Sequence, residues 1–280
     1  MTAAMDKIAP LGAGVGYRSP YRADLFLNRS GIDFLEIIAD HYMGTGRDAR
    51  EELALLRAHF PLIPHGLNLS LGSAEGLDLP YAKAFTDLVN ELHPPYWSEH
   101  LAMTRAAGIE IGHLAPLPFS HEAVETVCRN VNALRAMTDT PLILENITYT
   151  VELPGTQMTE AQFLGEIVER TGCGLLLDVT NLYTNAVNHG YDLDRFLDTA
   201  PLDHVVQLHF AGGFEAGGEL IDSHSEATPP EVWELLEEVL RRAPVKGVIL
   251  ERDENLPPFA EIEAEVMRAR EIGRRFGRWE

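Results

Sequence analysis

Short apolar runs alternate with longer stretches of helical periodicity from one end of the chain to the other, and no low-complexity linker separates them. Eight runs read as strands: 12–16, 34–39, 62–67, 96–101, 142–146, 174–179, 204–210 and 247–252. Helical spacing is clearest over 121–137, 159–170 and 230–241; in the last of these Val232, Leu235, Leu236 and Val239 recur on one face. Thr228 followed by two prolines and Glu231 predicts the start of that helix, with Thr228 as its cap. Eight strands in 280 residues leave about 35 residues for each strand-plus-helix unit, the size that suits a (β/α)8 barrel. The expectation is one barrel domain spanning 1–280. A doubly wound open sheet is the alternative, but it needs a Gly-rich phosphate loop after an early strand. Gly12-Ala-Gly-Val-Gly16 lacks the last glycine of that motif at the required spacing.

Composition narrows the function classes. The chain carries 22 Lys and Arg against 43 Asp and Glu, a formal charge of −21 that repels a phosphate backbone and argues against nucleic acid as a partner. No apolar run approaches the roughly 20 residues that span a bilayer, and the opening residues lack the layout of a secretory signal. A cytoplasmic protein without a membrane partner is expected. Cys128 and Cys173 are too far apart for a zinc knuckle and read as core residues. Eleven histidines in an acidic chain supply imidazole and oxygen donors for hard and borderline metals.

Those donors fall at the ends of the strands. The runs close on Glu145, Asp178, His209 and Glu251, each about one strand-plus-helix unit after the last, and two earlier runs close on His65 and His100. Taken singly, a carboxylate after a strand is usually a helix cap and a lone histidine a hydrogen-bonded wall residue. A barrel, however, gathers its strand ends at one mouth, where six ionisable groups would repel or desolvate one another without a cation. Three imidazoles and three carboxylates form a nitrogen and oxygen set suited to Fe, Mn, Co or Zn, and their number suits two ions that share a bridging carboxylate. Asp222 and His224 lie two apart on an extended segment, and with Asn181 they could hold a third ion or be solvated rim residues. Glu36 could support the site from the second strand. His41, His59, His93, His113, His121, His189 and His204 read as surface or packing residues.

The ordered segments His65-Gly-Leu-Asn-Leu-Ser70, Ser98-Glu-His100, Leu144-Glu-Asn146, Leu177-Asp-Val-Thr-Asn181, Gln207-Leu-His-Phe-Ala-Gly212, Asp222-Ser-His224 and Leu250-Glu-Arg-Asp253 resemble the multinuclear non-haem iron-dependent oxidases. The likeness also takes in Gly12-Ala-Gly-Val-Gly-Tyr-Arg18 and Phe34-Leu-Glu36, and so covers nearly the whole chain. It implies a TIM barrel of the xylose isomerase-like class and two or three iron ions of mixed Fe(II)/Fe(III) valence. Dioxygen would be the co-substrate for rearranging residues, often cysteines, of a ribosomally synthesised precursor peptide, with a separate partner protein binding the peptide's leader. By this resemblance His65, His100 and Glu145 hold one iron, and Glu145, Asp178, His209 and Glu251 hold the second and form the catalytic set, with Glu145 bridging. Asn181, Asp222 and His224 correspond to a third site, and Asn68, Glu99 and Asn146 to residues that orient ligands. Asn181 stands where the methanobactin-forming member has histidine, and Gly213 stands where many relatives have a histidine after Ala-Gly.

Two rivals use the same residues. A divalent-metal sugar isomerase or hydrolase would employ Glu145, Asp178, His209 and Glu251 and leave His65, His100, Asp222 and His224 idle. A non-catalytic protein that binds metal or docks a partner would need no open coordination position. Because a closed barrel has no free sheet edge, a peptide's leader is expected to be held outside the barrel core.

Overall fold

The computed structural model describes residues 5–44 and 46–280. Residues 1–4, part of the opening read above as lacking a secretory signal, and Thr45 lie outside the described residues. In chain order the strands are β1 (Gly12–Gly16), β2 (Leu35–Ile38), β3 (Leu62–Gly66), β4 (Trp97–His100), β5 (Met103–Ala106) and β6 (Ile109–Ala115). They continue with β7 (Leu142–Glu145), β8 (Gly174–Asp178), β9 (Val205–Phe210), β10 (Gly212–Ala216), β11 (Glu219–Glu226) and β12 (Gly247–Leu250). Eight of them close a parallel barrel in the order β1-β12-β9-β8-β7-β4-β3-β2. These eight are the runs read as strands from the sequence, and the open-sheet alternative falls away because β1 pairs with both β2 and β12.

The helices pack outside. They are α1 (Arg22–Leu27), α2 (Arg47–Arg57), α3 (Leu79–Leu92), α4 (His121–Leu134), α5 (Glu160–Thr171), α6 (Val179–His189), α7 (Leu193–Thr199), α8 (Pro230–Arg242) and α9 (Phe259–Arg275). Local chemistry sets their starts: Ser120 caps α4, and Thr159 with Gln162 forms a reciprocal capping box on α5. The expected cap at Thr228 is not made. Pro229 occupies that position, while the Thr228 hydroxyl donates to Glu265 of α9. α8 buries Val232, Leu235, Leu236 and Val239 as its periodicity predicts, each worth about 1.5–3 kcal/mol of apolar burial. Cys128 and Cys173 are buried free thiols. No described helix is long and apolar enough to cross a membrane.

The barrel interior is built in two chemical layers. Phe34, Ile63, Tyr96, Ile143, Leu176, Val206 and Ile249 pack with Met5 and Ile8 into one apolar floor. Because inward-facing positions recur every second residue, the next layer is Glu36, His65, Ser98, Glu145, Asp178 and Glu251, all buried. On β9 a register shift opposite Leu175 and Leu176 lets the strand contribute Val206 to the floor and still turn Gln207 and His209 inward. Glycine in β1 makes room for this filling, since a Cβ on Gly14 would lie 2.4 Å from the Phe34 carbonyl oxygen and 2.9 Å from Ile249 Cδ1.

Two features of the mouth depart from the sequence reading. The segment after β4 and the Gly-rich segment after β9, read as loop around an extended Asp222–His224 stretch, fold into antiparallel hairpins, β5-β6 and β10-β11. The barrel is closed, but its mouth therefore carries free sheet edges after all.

The glycines give a stability test. Gly14→Ala forces a backbone or core shift and should cost about 1–3 kcal/mol. Gly165→Ala in α5, where a Cβ meets nothing within 4 Å, should instead stabilise by about 0.4–1 kcal/mol. Urea melts of the two variants should move in opposite directions.

Candidate metal centre

Each donor is placed by a strand end and fixed by a neighbour. His65 Nδ1 lies 2.8 Å from Ser98 Oγ, and His100 Nδ1 lies 3.1 Å from the Gly66 carbonyl oxygen, so both rings present Nε2 to the centre. Those Nε2 atoms stand 3.5 Å and 3.3 Å from Glu145 Oε2. The other Glu145 oxygen faces His209 Nδ1 at 3.0 Å, and Glu251 Oε2 faces the same nitrogen at 3.0 Å. On its far side His209 Nε2 lies 2.9 Å from Glu36, which also accepts from Gln207 Nε2 at 2.6 Å. Gln207 in turn accepts from the Tyr96 hydroxyl at 2.7 Å. Tyr96, Gln207 and Glu36 thus form a buried rail that fixes the His209 ring with Nδ1 towards the carboxylates.

Asp178 divides its two oxygens. One accepts the Asn181 backbone N–H at 2.8 Å as the cap of α6, and the other points to His224 Nε2 at 3.8 Å without a hydrogen bond. Asn146 braces this turn from both sides: it donates to the Asp178 carbonyl and accepts the Asp178 N–H. Asn181 donates its amide to the Asn146 carbonyl and leaves its own oxygen unpaired. His224 sits with a φ of 49° inside β11, a backbone conformation that side chains seldom adopt in a strand. Its Nε2 comes within 2.8 Å of Asp222 Oδ1, and its Nδ1 lies 3.4 Å from Glu251 and 3.3 Å from Asp253.

Three groups have donor atoms close enough to share an ion: His65, His100 and Glu145; Glu145, Asp178, His209 and Glu251; and His224, Glu251 and Asp253. Glu145 belongs to the first two and Glu251 to the last two, so two carboxylates link three neighbouring positions. The sequence reading had Glu251 in one group only and left Asp253 unassigned. Its place two residues after Glu251, on the same side of an extended segment, was the available signal.

The donors' lone pairs provide the test of whether a metal fits. Among the described residues eight buried side-chain polar atoms have no hydrogen-bond partner, and six are in this mouth: His65 Nε2, Glu145 Oε2, Asp178 Oδ2, Asn181 Oδ1, Asp222 Oδ1 and His224 Nε2. Unmet acceptors of this kind are costly when buried, and cations held at neighbouring positions would satisfy them. Electrostatics agree. Burial, then the neighbouring His100, pushes the His65 pKa down to about 3, which keeps the ring neutral. Burial also opposes protonation of His100, but Glu145 and Glu99 outweigh it and push its pKa up to about 9. Asp178 is pushed up to about 7, chiefly by burial and further by Asp222 and Glu145. For Glu251 burial is overcome by His209 and His224, which hold its carboxyl well below the usual range. In this layer carboxylates thus demand positive charge, which imidazolium or a metal can supply.

Some expected supports fall elsewhere. Asn68 is exposed and donates to Asp40, so it does not orient a donor. Glu99 accepts the His100 backbone N–H and lies 3.5 Å from its Nδ1, while its other oxygen accepts from Leu69. Glu36, read as a possible support, has the direct contact to His209 described above. The seven histidines read as surface or packing residues are exposed or half-buried and belong to none of the three groups. A Cβ on Gly213 would lie 2.0 Å from the Ile221 carbonyl oxygen, so the β10-β11 pairing in this chain requires glycine there. Above the donors opens a cavity of about 350 Å³, lined among others by Arg18, His100, Leu114, Thr148, Asn181 and His224.

A family model described as "RiPP precursor modification enzyme MbnB/TglH/ChrH" matches residues 12–274. The chain belongs to this family. Like others in the MbnB/TglH/ChrH family it is thus an enzyme of ribosomal precursor peptides. It is 38% identical over 260 residues to a UPF0276 protein of Caulobacter vibrioides, covering 92% of this chain and 93% of that protein. A UPF0276 protein of Streptomyces avermitilis is 39% identical over 267 residues, which are 92% of this chain but 54% of that longer protein. Among solved structures, D-psicose 3-epimerase from Clostridium cellulolyticum H10 aligns with a TM-score of 0.57 at 13% identity, over 95% of this chain and 99% of the epimerase. A putative xylose isomerase from Rhodospirillum rubrum aligns with a TM-score of 0.56 at 13% identity, again over 95% and 99% of the two chains. At such identities these likenesses show the fold alone, a xylose isomerase-like TIM barrel.

Three substitutions separate donor from brace. Glu145→Ala, which removes the carboxylate common to two groups, should lose more bound metal than Asn181→Ala. Glu36→Ala leaves every direct donor in place and should weaken metal affinity about 10–100-fold by freeing the His209 ring. Elemental analysis after dialysis at graded free metal measures both; equal small losses for Glu145→Ala and Asn181→Ala would contradict the shared position.

Proposed function

We propose that this member of the MbnB/TglH/ChrH family is a multinuclear non-haem iron oxidase that uses dioxygen to modify residues, cysteine foremost, of a ribosomally synthesised precursor peptide. The observation that carries the reading is the pair of shared carboxylates, Glu145 and Glu251, which join three adjacent donor groups made of nitrogen and oxygen alone. His65, His100 and Glu145 would hold one iron, and Glu145, Asp178, His209 and Glu251 the second. His224 has two candidate sets for a third, Asp222 and Asn181 on one side of its ring and Glu251 and Asp253 on the other. Bound iron supplies one-electron chemistry towards dioxygen that no side chain here has.

The chain's own residues do the rest. The Tyr96-Gln207-Glu36 rail holds the His209 ring at a fixed angle, and Asn146 locks the Asp178 turn, so the donors are preorganised. Leu114, Leu67, Ile38 and Ile147 give the cavity an apolar part beside its polar donors. Arg18, bonded to Asp253 and 3.7 Å from Glu251, keeps a fixed positive charge at the entrance. We place the whole of 1–280 in one catalytic barrel unit in the cytoplasm, with a separate protein or accessory surface binding the peptide's leader. A metal isomerase would use the second donor group but leaves His65 and His100 idle, and a storage protein does not need a cavity over its donors.

Protein made in iron-replete cells and purified without air should carry about two to three irons per chain. Given a cysteine-bearing precursor encoded beside it, it should consume dioxygen and change the mass of the core segment, and Glu145→Ala should abolish both. Leaderless precursor should react far more slowly than full-length precursor. One zinc and no iron would sink the oxidase reading; no mass change with iron and dioxygen would favour the isomerase.

A further inference from the structure

The two hairpins at the mouth stand three strands apart in the barrel ring, on β4 and β9, and both reach the cavity over the donors, through Leu114 on one and Asp222, Ser223 and His224 on the other. In each hairpin one outer edge is closed by the barrel. Ser70 Oγ accepts from the Thr104 and Arg105 N–H groups and, with Ser73, donates to the Arg105 carbonyl, which occupies the β5 edge. Asn188 bonds both backbone groups of Leu220, and the Asp253 N–H bonds the His224 carbonyl, which occupies the β11 edge.

The β6 edge is different. Among the described residues no side chain or backbone group from outside the hairpin bonds the backbone of Ile109–Ala115. The turn before it has Ala107 and Gly108 both at positive φ, 52° and 73°, the geometry of a two-residue hairpin that closes on the Ala106 and Ile109 pair. Backbone groups alternate in direction, so the N–H and carbonyl of Glu110 face outward. Proteins blunt such edges with lysine, proline, a bulge or a covering loop; β6 has no lysine or proline and exposes Ile109 at 68%, and its register shift lies beyond Glu110, so the regular edge is the part next to the turn. β10 is the shorter outer strand, five residues against seven in β6.

The charge around this edge selects the guest. Glu110 on β6 and Glu75, which accepts the Gly108 N–H at the turn, are acidic, and the whole chain carries a formal charge of −21. Of the basic groups near this edge, Arg105 is engaged by Asp78 and Arg129 by the Ala74 carbonyl, and His113 lies on β6 itself.

We propose that an extended segment of the substrate peptide, with lysine or arginine beside the residue to be modified, adds as a third strand to the open edge of β6 and is led past Leu114 into the cavity. This rests on the oxidase reading for the guest being a substrate. Leu114, four residues after Glu110, lines the cavity, so a guest strand paired at Glu110 runs on towards the donors.

The probe is a nine-residue peptide of alternating lysine and valine around a central cysteine. Its counterparts are the same peptide N-methylated at alternate backbone nitrogens and a glutamate-for-lysine version. Binding to the full metal-loaded chain is followed without dioxygen by fluorescence anisotropy and by hydrogen exchange of the β6 amides. The lysine peptide should slow exchange over 109–115 and bind at least about tenfold more tightly than either counterpart. Glu110→Pro, checked for unchanged metal content and melting, should weaken it by about tenfold, and Glu110→Gln by clearly less. No binding, equal affinity of the N-methylated peptide, or bound peptide with unprotected β6 amides would each overturn the proposal. Protection of β6 in a protein that never consumes dioxygen would uphold the edge and sink the oxidase, whereas dioxygen uptake with unprotected β6 would do the reverse.

Discussion

Burying Glu36, His65, Glu145, Asp178, His209 and Glu251 in one layer of a barrel sets the terms for everything around it. Isolated charges in such a place cost several kcal/mol each, and pairing recovers that cost only where the geometry is close. The layer meets the condition with imidazole and carboxylate atoms about 3 Å apart, yet still leaves unpaired lone pairs aimed inward. A fold with this layer is therefore not fully satisfied by its own atoms. The apolar floor of Phe34, Ile63, Ile143, Leu176 and Ile249 stabilises the barrel beneath it and allows the unsatisfied layer above.

The supports show the same division of labour. His209 is gripped by Glu36 on one nitrogen so that the other faces the carboxylates, and the grip is relayed through Gln207 to Tyr96, whose ring belongs to the floor. Packing of an aromatic ring at the bottom of the barrel thus fixes the angle of an imidazole at the top. Asp178 spends one oxygen on capping α6, which couples the start of that helix to the other oxygen's direction. Donor geometry and fold stability cannot be varied independently at these positions.

Much of this was legible because it is periodic. Inward positions two apart on a strand turn Ile63 and His65, Ile143 and Glu145, or Ile249 and Glu251 into a floor residue followed by a donor, and eight strand runs separated by helical stretches mean a barrel. Pairings that depend on three dimensions were not legible. Glu251 reaches His224 because β11 bends at that residue, and a positive φ at a histidine leaves no mark in the sequence. The Thr228 hydroxyl had a better acceptor in Glu265, 37 residues away, than the helix start beside it. Asn68 turned to Asp40 for the same reason. The hairpins escaped because both ladders carry register shifts that break the alternation of a regular pair, and Gly217-Gly218 and Ala107-Gly108 read equally well as turns in a loop.

Those hairpins change what a closed barrel can do. Closure removes every edge from the eight-stranded sheet, and so removes the means by which an extended chain is bound through its backbone. Hairpins raised from β4 and β9 restore edges at the one end of the barrel where the donors lie. The side chains that close two of those edges, Ser70, Ser73 and Asn188, come from the barrel's own loops and helices, so the hairpins are tied to the scaffold along one side and open along the other. An edge held in this way is preorganised, and a guest need order only itself. Sheet pairing reads the backbone and is indifferent to most side chains, whereas the donor layer below is specific in its chemistry. A mouth that combines the two suits a substrate that is a peptide throughout and reactive at one residue.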